Sequence, residues 1–365
     1  GQSPSLAFEA WCRGESGIAT QCIGDGEHVT QVPYAACTGF DPVATLGRTR
    51  LTTMDRVSQL SAAAAESAWQ DAGLADWPDA AREQAGVFWG TGGGGAQTLE
   101  RSYRDLFLKG RSRISPLSVV LGMHNAAASH IALKLGLGGE CLTHSVACAS
   151  SAVAVTEACR RIRAGEAELM VAGGGEAALP YGMVKAWESL QVMAPVSDDV
   201  AQACQPFGRD RRGLVLGEGA AGLVLESLSH AQARGARIYA EVLGWGGSCD
   251  HTHLSAPQVS GQVRALNQVL RDAQLTAADV QYVNAHGTAT PEGDPVEVQA
   301  LQQVLGGHAE QVRISSTKSM HGHLLGAAGA IELLATTLAL HRQVVPPTAL
   351  RGPLDPDRKS TRLNS

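Results

Sequence analysis

Short apolar runs alternate along this chain with longer Ala-rich segments, and the alternation predicts strands and helices in turn. Val87-Phe88-Trp89 enters Gly90-Thr91, and Thr143 to Cys148 runs into a helix expected from about Ala149 to Ala164, with Gly165 as its C-cap. A run around Val280 to Val283 enters Asn284-Ala285-His286-Gly287-Thr288, and Arg313 to Ser316 precedes a helix expected from about Leu324 to His341. Strands of four to six residues between helices imply parallel β-α units with helices on both faces. The order also repeats. Residues 55–92 give an Ala-rich helix, the phrase Asp71-Ala72-Gly73-Leu74, a loop and an apolar run. Residues 262–288 do the same, the helix closing in Asp272-Ala273-Gln274-Leu275. A duplicated α/β core follows from that repeat.

Composition narrows the class. In 365 residues, 44% are hydrophobic and no apolar run reaches the roughly 18 to 20 residues of a membrane span. Forty-two glycines beside only 4% aromatics predict close backbone packing and many tight turns. A formal net charge of -6 leaves no overall basic field for nucleic acid or an anionic membrane, so an acidic partner needs a local patch. Eight cysteines without a Cys-x-x-Cys pair, and an N-terminus with no basic or apolar leader, point to a reducing, cytoplasmic setting.

Cys148 stands apart from the other cysteines because it is expected to end a buried strand, Ser145-Val146-Ala147, and to open a helix. A helix N-terminus offers unpaired N–H groups and partial positive charge, which favour a thiolate or a developing oxyanion. His286 and His323 follow strands in the second half, so three connections bring Cys148, His286 and His323 to strand C-terminal ends, where ligands gather in open α/β sheets. His321-Gly322-His323 and His251-Thr252-His253 raise zinc, but neither has helical i, i+4 spacing or a cysteine cluster, so no metal is expected. His144 reads as a packed strand residue. Lys318 lies in small and apolar surroundings, where a lysine is costly unless paired with a carboxylate such as Glu332 or Glu297. The run Gly90-Thr91-Gly92-Gly93-Gly94-Gly95 lacks the Gly-Lys-Ser/Thr ending of a phosphate loop, and a nucleotide is discounted.

Three motifs resemble the β-ketoacyl-acyl-carrier-protein synthases with a Cys-His-His centre. They are Ser145 to Ser151 (SVACASS), Asn284 to Asp294 (NAHGTATPEGD) and Ser316 to Gly329 (STKSMHGHLLGAAG), and residues 213–226 resemble the family's mid-chain segment. The nearest resemblance is to the elongating, KAS II type. It implies a thiolase-like α/β fold of two duplicated halves in α-β-α-β-α layers: residues 1–227, with an inserted dimer and acyl-pocket segment at about 93–140, and residues 228–356. It implies a homodimer, acyl carrier protein as partner, and no cofactor beyond the carrier's 4'-phosphopantetheine arm. Cys148 would be the acylated nucleophile, His286 and His323 the donors to a thioester enolate, and Lys318 with Glu332 a tuning pair. Thr288 and Thr290 match positions that hold the pantetheine arm, Leu99 the acyl-pocket floor, and Asp294 and Glu297 supporting carboxylates. Arg48, Arg50, Lys109, Arg111 and Arg113 are the candidate carrier-docking cations.

The implied role is fatty-acid elongation, with a stand-alone ketosynthase of a type II polyketide or polyene pathway as the alternative. Cys148 speaks against a non-catalytic chain-length partner. A Cys-His-Cys thiolase or Cys-His-Asn initiating enzyme fits Lys318 and His323 poorly. The family's Gly-rich C-terminal signature, expected after Val344-Val345-Pro346-Pro347-Thr348, and its first strand are absent, so this chain is expected to be an inactive interior fragment. Residues 357–365 read like a translated sequencing adapter and are expected to be non-native.

Overall fold

Val87 and Trp89 point to one side of a strand and Phe88 to the other, and all three side chains are buried. Residues buried on both faces belong to a sheet covered by helices. The computed structural model describes residues 3–355 and the backbone of 362–363. Its strands are β1 (Ile18–Asp25), β2 (His28–Ala35), β3 (Gly86–Gly90), β4 (Cys141–His144), β5 (Leu169–Ala177), β6 (Leu216–Glu226), β7 (Tyr282–Asn284), β8 (Arg313–Ser315) and β9 (Arg362–Leu363).

The first six form one sheet in the order β1-β2-β6-β5-β3-β4, and the last three a second sheet in the order β7-β8-β9. β3 runs parallel to β4 and β5, as the strand-helix alternation predicts. The sheet is nevertheless mixed. β6 returns antiparallel to β5, and β1-β2 is an antiparallel hairpin joined in parallel to β6. β7, β8 and β9 are parallel.

On one face of the larger sheet, Trp69 of the helix Arg56–Asp71 and Ile131 of the helix Ala126–Leu135 bury Val87 and Trp89. Each such large side chain contributes about 1.5–3 kcal/mol of transfer free energy. Asp55 caps the first helix by accepting the Val57 N–H at 3.2 Å. On the other face, Ala154, Val155 and Ala158 of the helix Ser150–Arg163 cover Phe88, Met170 and Ala172. The helix Ala328–Arg342 lies against that helix, its Ala330 N–H donating to Ser151 Oγ at 2.9 Å. In the second half, Val298, Leu301 and Leu305 of the helix Gly293–Leu305 pack on Ile314 of β8. The molecule is therefore a layered α/β fold.

Two junctions differ from their sequence reading. The strand before Cys148 ends at His144, and Ser145–Ala147 are exposed, Val146 at 48%. Ala147 has φ +47°, a left-handed conformation that breaks the extended run. The helix expected from Leu324 begins as a 3-10 turn, Leu325–Ala327, and becomes α-helical only at Ala328. Three helices, Ala96–Phe107, Leu117–Gly122 and Ala126–Leu135, fill the stretch between β3 and β4. The expectation of an adapter-derived tail falls on residues outside the described ones, apart from the β9 backbone.

Candidate active site

Cys148 sits on the turn between β4 and the helix Ser150–Arg163. Ser150 Oγ accepts the Val146 N–H at 2.8 Å and donates to the Ala147 carbonyl at 2.6 Å, clamping that turn. A non-glycine residue in the left-handed region costs roughly 1–2 kcal/mol. Ala147→Gly is accordingly expected to fold with equal or higher thermal stability and to keep its reactivity. Ala147→Val should melt earlier and lose reactivity at the sulfur, as scanning calorimetry and a thiol-alkylation rate will show.

His323 is held from the opposite side. Its backbone N–H donates to Val215 O at 2.6 Å and its carbonyl accepts the Gly217 N–H at 3.0 Å, so the mid-chain segment that leads into β6 fixes this histidine. Its Nε2 lies 2.8 Å from Cys148 Sγ. The imidazole of His286 meets that of His323 edge-on, with centroids 5.2 Å apart and planes at 87°. One donor atom from each of Cys148, His286 and His323 lies within 4.8 Å of the others. The three residues singled out by sequence converge.

Behind His286 stands Lys318, which is fully buried. Its ammonium donates to the His286 carbonyl at 2.6 Å, approaches His286 Nδ1 at 3.3 Å and pairs with Glu332. An ammonium has donors only, so Nδ1 of His286 accepts and the ring hydrogen stays on Nε2. Glu297 takes a different partner from the lysine: its two oxygens accept the N–H groups of His286 and Gly287, each at 2.7 Å. Of the two carboxylates weighed for Lys318, Glu332 is the ion-pair partner.

Burial and the nearby Lys318 charge push His286 down to about 3. The residue itself is exposed to solvent, and the Lys318 ammonium acts on it from 3.3 Å at Nδ1. The same two causes, with His286 and His321 adding, hold His323 well below the ordinary histidine range. Both rings are therefore neutral donors at neutral pH. His323 Nδ1 is buried without a partner among the described residues, which leaves it free of a proton when Nε2 carries one. Cys148 is raised, chiefly by burial, with Lys318 opposing and Glu332 and Glu176 adding. It is a thiol in the resting protein, so its alkylation by iodoacetamide should climb by about tenfold per unit between pH 7 and 9. A plateau in that range would contradict the resting thiol.

The remaining predicted residues divide. Thr288 and Thr290 face each other, Oγ1 to Oγ1 at 3.1 Å, in the loop that carries His286. Asp294, in the first turn of the helix Gly293–Leu305, accepts the Phe207 N–H at 2.8 Å. Leu99 lines an open apolar groove with Tyr103, Phe107, Pro180 and Met183. Of the basic residues, Arg50 is bound to Glu66 at 2.8 Å, and Lys109 and Arg111 lie at 2.8 and 3.3 Å from Asp105, while Arg48 and Arg113 are exposed. The histidine pairs raised for zinc do not converge: His321 spends Nε2 on Thr317 at 2.9 Å, and His253 Nδ1 accepts two backbone N–H groups at 3.1 Å. His144 packs edge-on against Phe88.

Sequence reasoning missed Glu176. Its carboxylate fills the Gly-rich turn after β3, accepting the Gly92 N–H at 2.7 Å. The nest that a phosphate could have used holds the protein's own anion. The glycine run was the visible signal.

Two family models cover most of the chain: beta-ketoacyl synthase N-terminal domain over residues 16–231 and beta-ketoacyl synthase C-terminal domain over residues 239–350. The chain is 46% identical to a Nodulation protein E of a Rhizobium species over 87% of its length and 77% of the relative's. It is 40% identical to the 3-oxoacyl-[acyl-carrier-protein] synthase 2 of Staphylococcus aureus, over 83% of this chain and 73% of that one. A beta-ketoacyl synthase from Burkholderia phymatum superposes with a TM-score of 0.88 at 34% identity, covering 98% of this chain and 86% of the other. A type II PKS acyl-carrier protein in complex with its ketosynthase gives a TM-score of 0.86 at 28% identity, over 99% of this chain and 87% of that one. Fold, motifs and matched domains together establish that this chain belongs to the β-ketoacyl synthase family, whose fold is thiolase-like.

Proposed function

We propose that the protein condenses an acyl group held on Cys148 with malonyl-carrier protein, releasing carbon dioxide and 3-oxoacyl-carrier protein, in fatty-acid elongation. The observation that carries this reading is the placement of Cys148 Sγ against His323 Nε2 at 2.8 Å with the His286 ring beside it. Cys148 attacks the acyl thioester, the new S–C bond forms, and the pantetheine thiol leaves with the cysteine proton. Malonyl thioester then places its carbonyl oxygen against the two ring N–H groups. The C–CO2 bond breaks, its electron pair enters the enolate, and the negative oxygen is stabilised by donors already in place. The carbanion attacks the acyl-Cys148 carbonyl and the sulfur departs. Thr288 and Thr290 hold the pantetheine arm and Leu99 borders the acyl chain. No cofactor beyond that arm takes part.

A second reading, a ketosynthase dedicated to a polyketide, polyene or other specialised acyl pathway, draws on the 46% identity to a Nodulation protein E against 40% to the synthase 2. Incubation with carrier proteins bearing acyl groups of graded length and unsaturation separates the two. Preferential acylation by saturated chains of eight to sixteen carbons supports elongation, and preference for polyunsaturated chains supports the specialised pathway.

Acyl carrier protein is the partner, and a second copy of the chain adds itself at the outer strand β4, where Leu142 is exposed, as is Val146 just beyond it. A monomer in sedimentation at micromolar concentration would count against that dimer. Charge reversal at Arg111 and Arg113 is expected to raise KM for carrier-bound substrate by roughly three- to tenfold and to leave a small thioester mimic unaffected. Equal effects on both substrates would remove these residues from the docking site. No helix among the described residues is long and apolar enough to cross a membrane.

A further inference from the structure

Glu176 is a buried carboxylate to which the proposed chemistry gives no part. Glu176, near the end of β5, is 1% exposed. Its Oε2 accepts N–H groups from Gly92 at 2.7 Å, Gly93 at 3.3 Å and Gly326 at 3.1 Å. Its Oε1 accepts the Gly93 N–H at 3.1 Å and the Thr91 hydroxyl at 3.3 Å.

These partners come from two connections that the site needs. Thr91 to Gly93 precede the helix that carries Leu99, and Thr91 N–H is bonded to His144 O at the root of the Cys148 turn. Gly326 lies three residues past His323, directly after Leu325, whose φ is +43°. The two connections touch: a Cβ on Gly326 would stand 2.3 Å from Gly92 N. One carboxylate therefore ties the wall of the apolar groove to a strained turn that aims a catalytic histidine.

We infer that Glu176 is a positioning residue: it locks the Gly92–Gly93 and Leu325–Gly326 connections together and thereby aligns His323 for enolate stabilisation. Burial raises Glu176, with the amides of Gly92, Gly93 and Gly326 opposing. His323 Nε2 stands 2.8 Å from Cys148 Sγ, so the alignment of this histidine is felt at the sulfur as well. The inference rests on the ketosynthase reading for its effect on decarboxylation, but its effect on the sulfur does not.

Two variants test it. Glu176→Gln keeps one acceptor oxygen for the amides but sets an NH2 donor where the other oxygen accepted. Glu176→Ala removes both oxygens. Peptide-resolved alkylation with iodoacetamide at fixed pH should slow at Cys148 by roughly threefold or more in the Ala variant, whose His323 loses its alignment on the sulfur, and less in the Gln variant. With a malonyl thioester, the Ala variant should release carbon dioxide with kcat reduced roughly tenfold or more and KM changed less than about twofold. The Gln variant should recover part of that rate. Wild-type alkylation of Cys148, or wild-type decarboxylation, in a folded Glu176→Ala protein overturns the inference. Should the Ala variant fail to fold, the same two rates in the Gln variant decide, and wild-type values there overturn it. Should the unaltered protein release no carbon dioxide, the ketosynthase reading falls and the Cys148 alkylation rate still decides.

Discussion

Cys148→Ala is expected to lose uptake of an octanoyl group from octanoyl-carrier protein by more than about a thousandfold, and with it all condensation. Transfer needs a sulfur at the turn after β4, and the seven other cysteines do not share its setting. Cys159 and Cys204 are buried, and burial pushes them up to about 11 and about 12. Cys12 and Cys37 are half-buried and raised as well, Cys37 to about 11. Cys22, Cys141 and Cys249 are exposed but are not part of the histidine cluster. Loss of carbon dioxide from malonyl thioester relies on His286 and His323, so the variant should retain it. Cys148 is only half-buried, and its truncation should change stability by no more than about 1 kcal/mol. Were the protein a non-catalytic chain-length partner, the unaltered chain would already lack acyl uptake and the substitution would change nothing. A Cys148→Ala protein that still acquires octanoate, or that loses decarboxylation and acylation together through unfolding, would contradict this division of labour.

Lys318→Met should be the most damaging single change to the fold. The ammonium is fully buried and satisfies Glu332 and the His286 carbonyl, so its removal strands a carboxylate and an acceptor. Breaking a buried pair from one side typically costs 3–5 kcal/mol, roughly a third or more of a typical domain's whole stability. Activity should fall separately. Without the lysine proton on Nδ1, His286 is free to carry its hydrogen there and to present a lone pair to the enolate, which is expected to cost about 10²–10³ in kcat. The double variant Lys318→Met, Glu332→Gln separates the two effects: calorimetry should show stability largely regained, while the product of condensation stays at the level of the single variant. Recovery of both would mean that Lys318 serves the fold alone.

The residues that bear chemistry were legible because each breaks a pattern. A cysteine at a strand-helix junction, histidines at corresponding junctions of a repeat, and a lysine among small residues are all costly or conspicuous, and the structure gathers all of them. A carboxylate beside Lys318 was legible for the same reason, as Glu332 or Glu297, and the structure selects Glu332. What was not legible depends on contacts far apart in sequence. Glu176 follows three glycines in an otherwise apolar strand, and only the fold reveals that amides 83 to 150 positions away converge on it. The left-handed φ of Ala147 left no mark because alanine is common in helices, strands and turns alike. The antiparallel return of β6 was hidden too, since a strand buried on one face reads the same in either direction.

Pulse-chase labelling of Cys148 reads the central claim most directly. Octanoyl-carrier protein is supplied first, the Cys148 peptide is weighed, and malonyl-carrier protein is then added. The account predicts one octanoyl group on Cys148 alone, which disappears on the chase as carbon dioxide and 3-oxodecanoyl-carrier protein appear in equal amounts. An octanoyl group on another residue, or one on Cys148 that hydrolyses to free acid without forming the longer product, would contradict it.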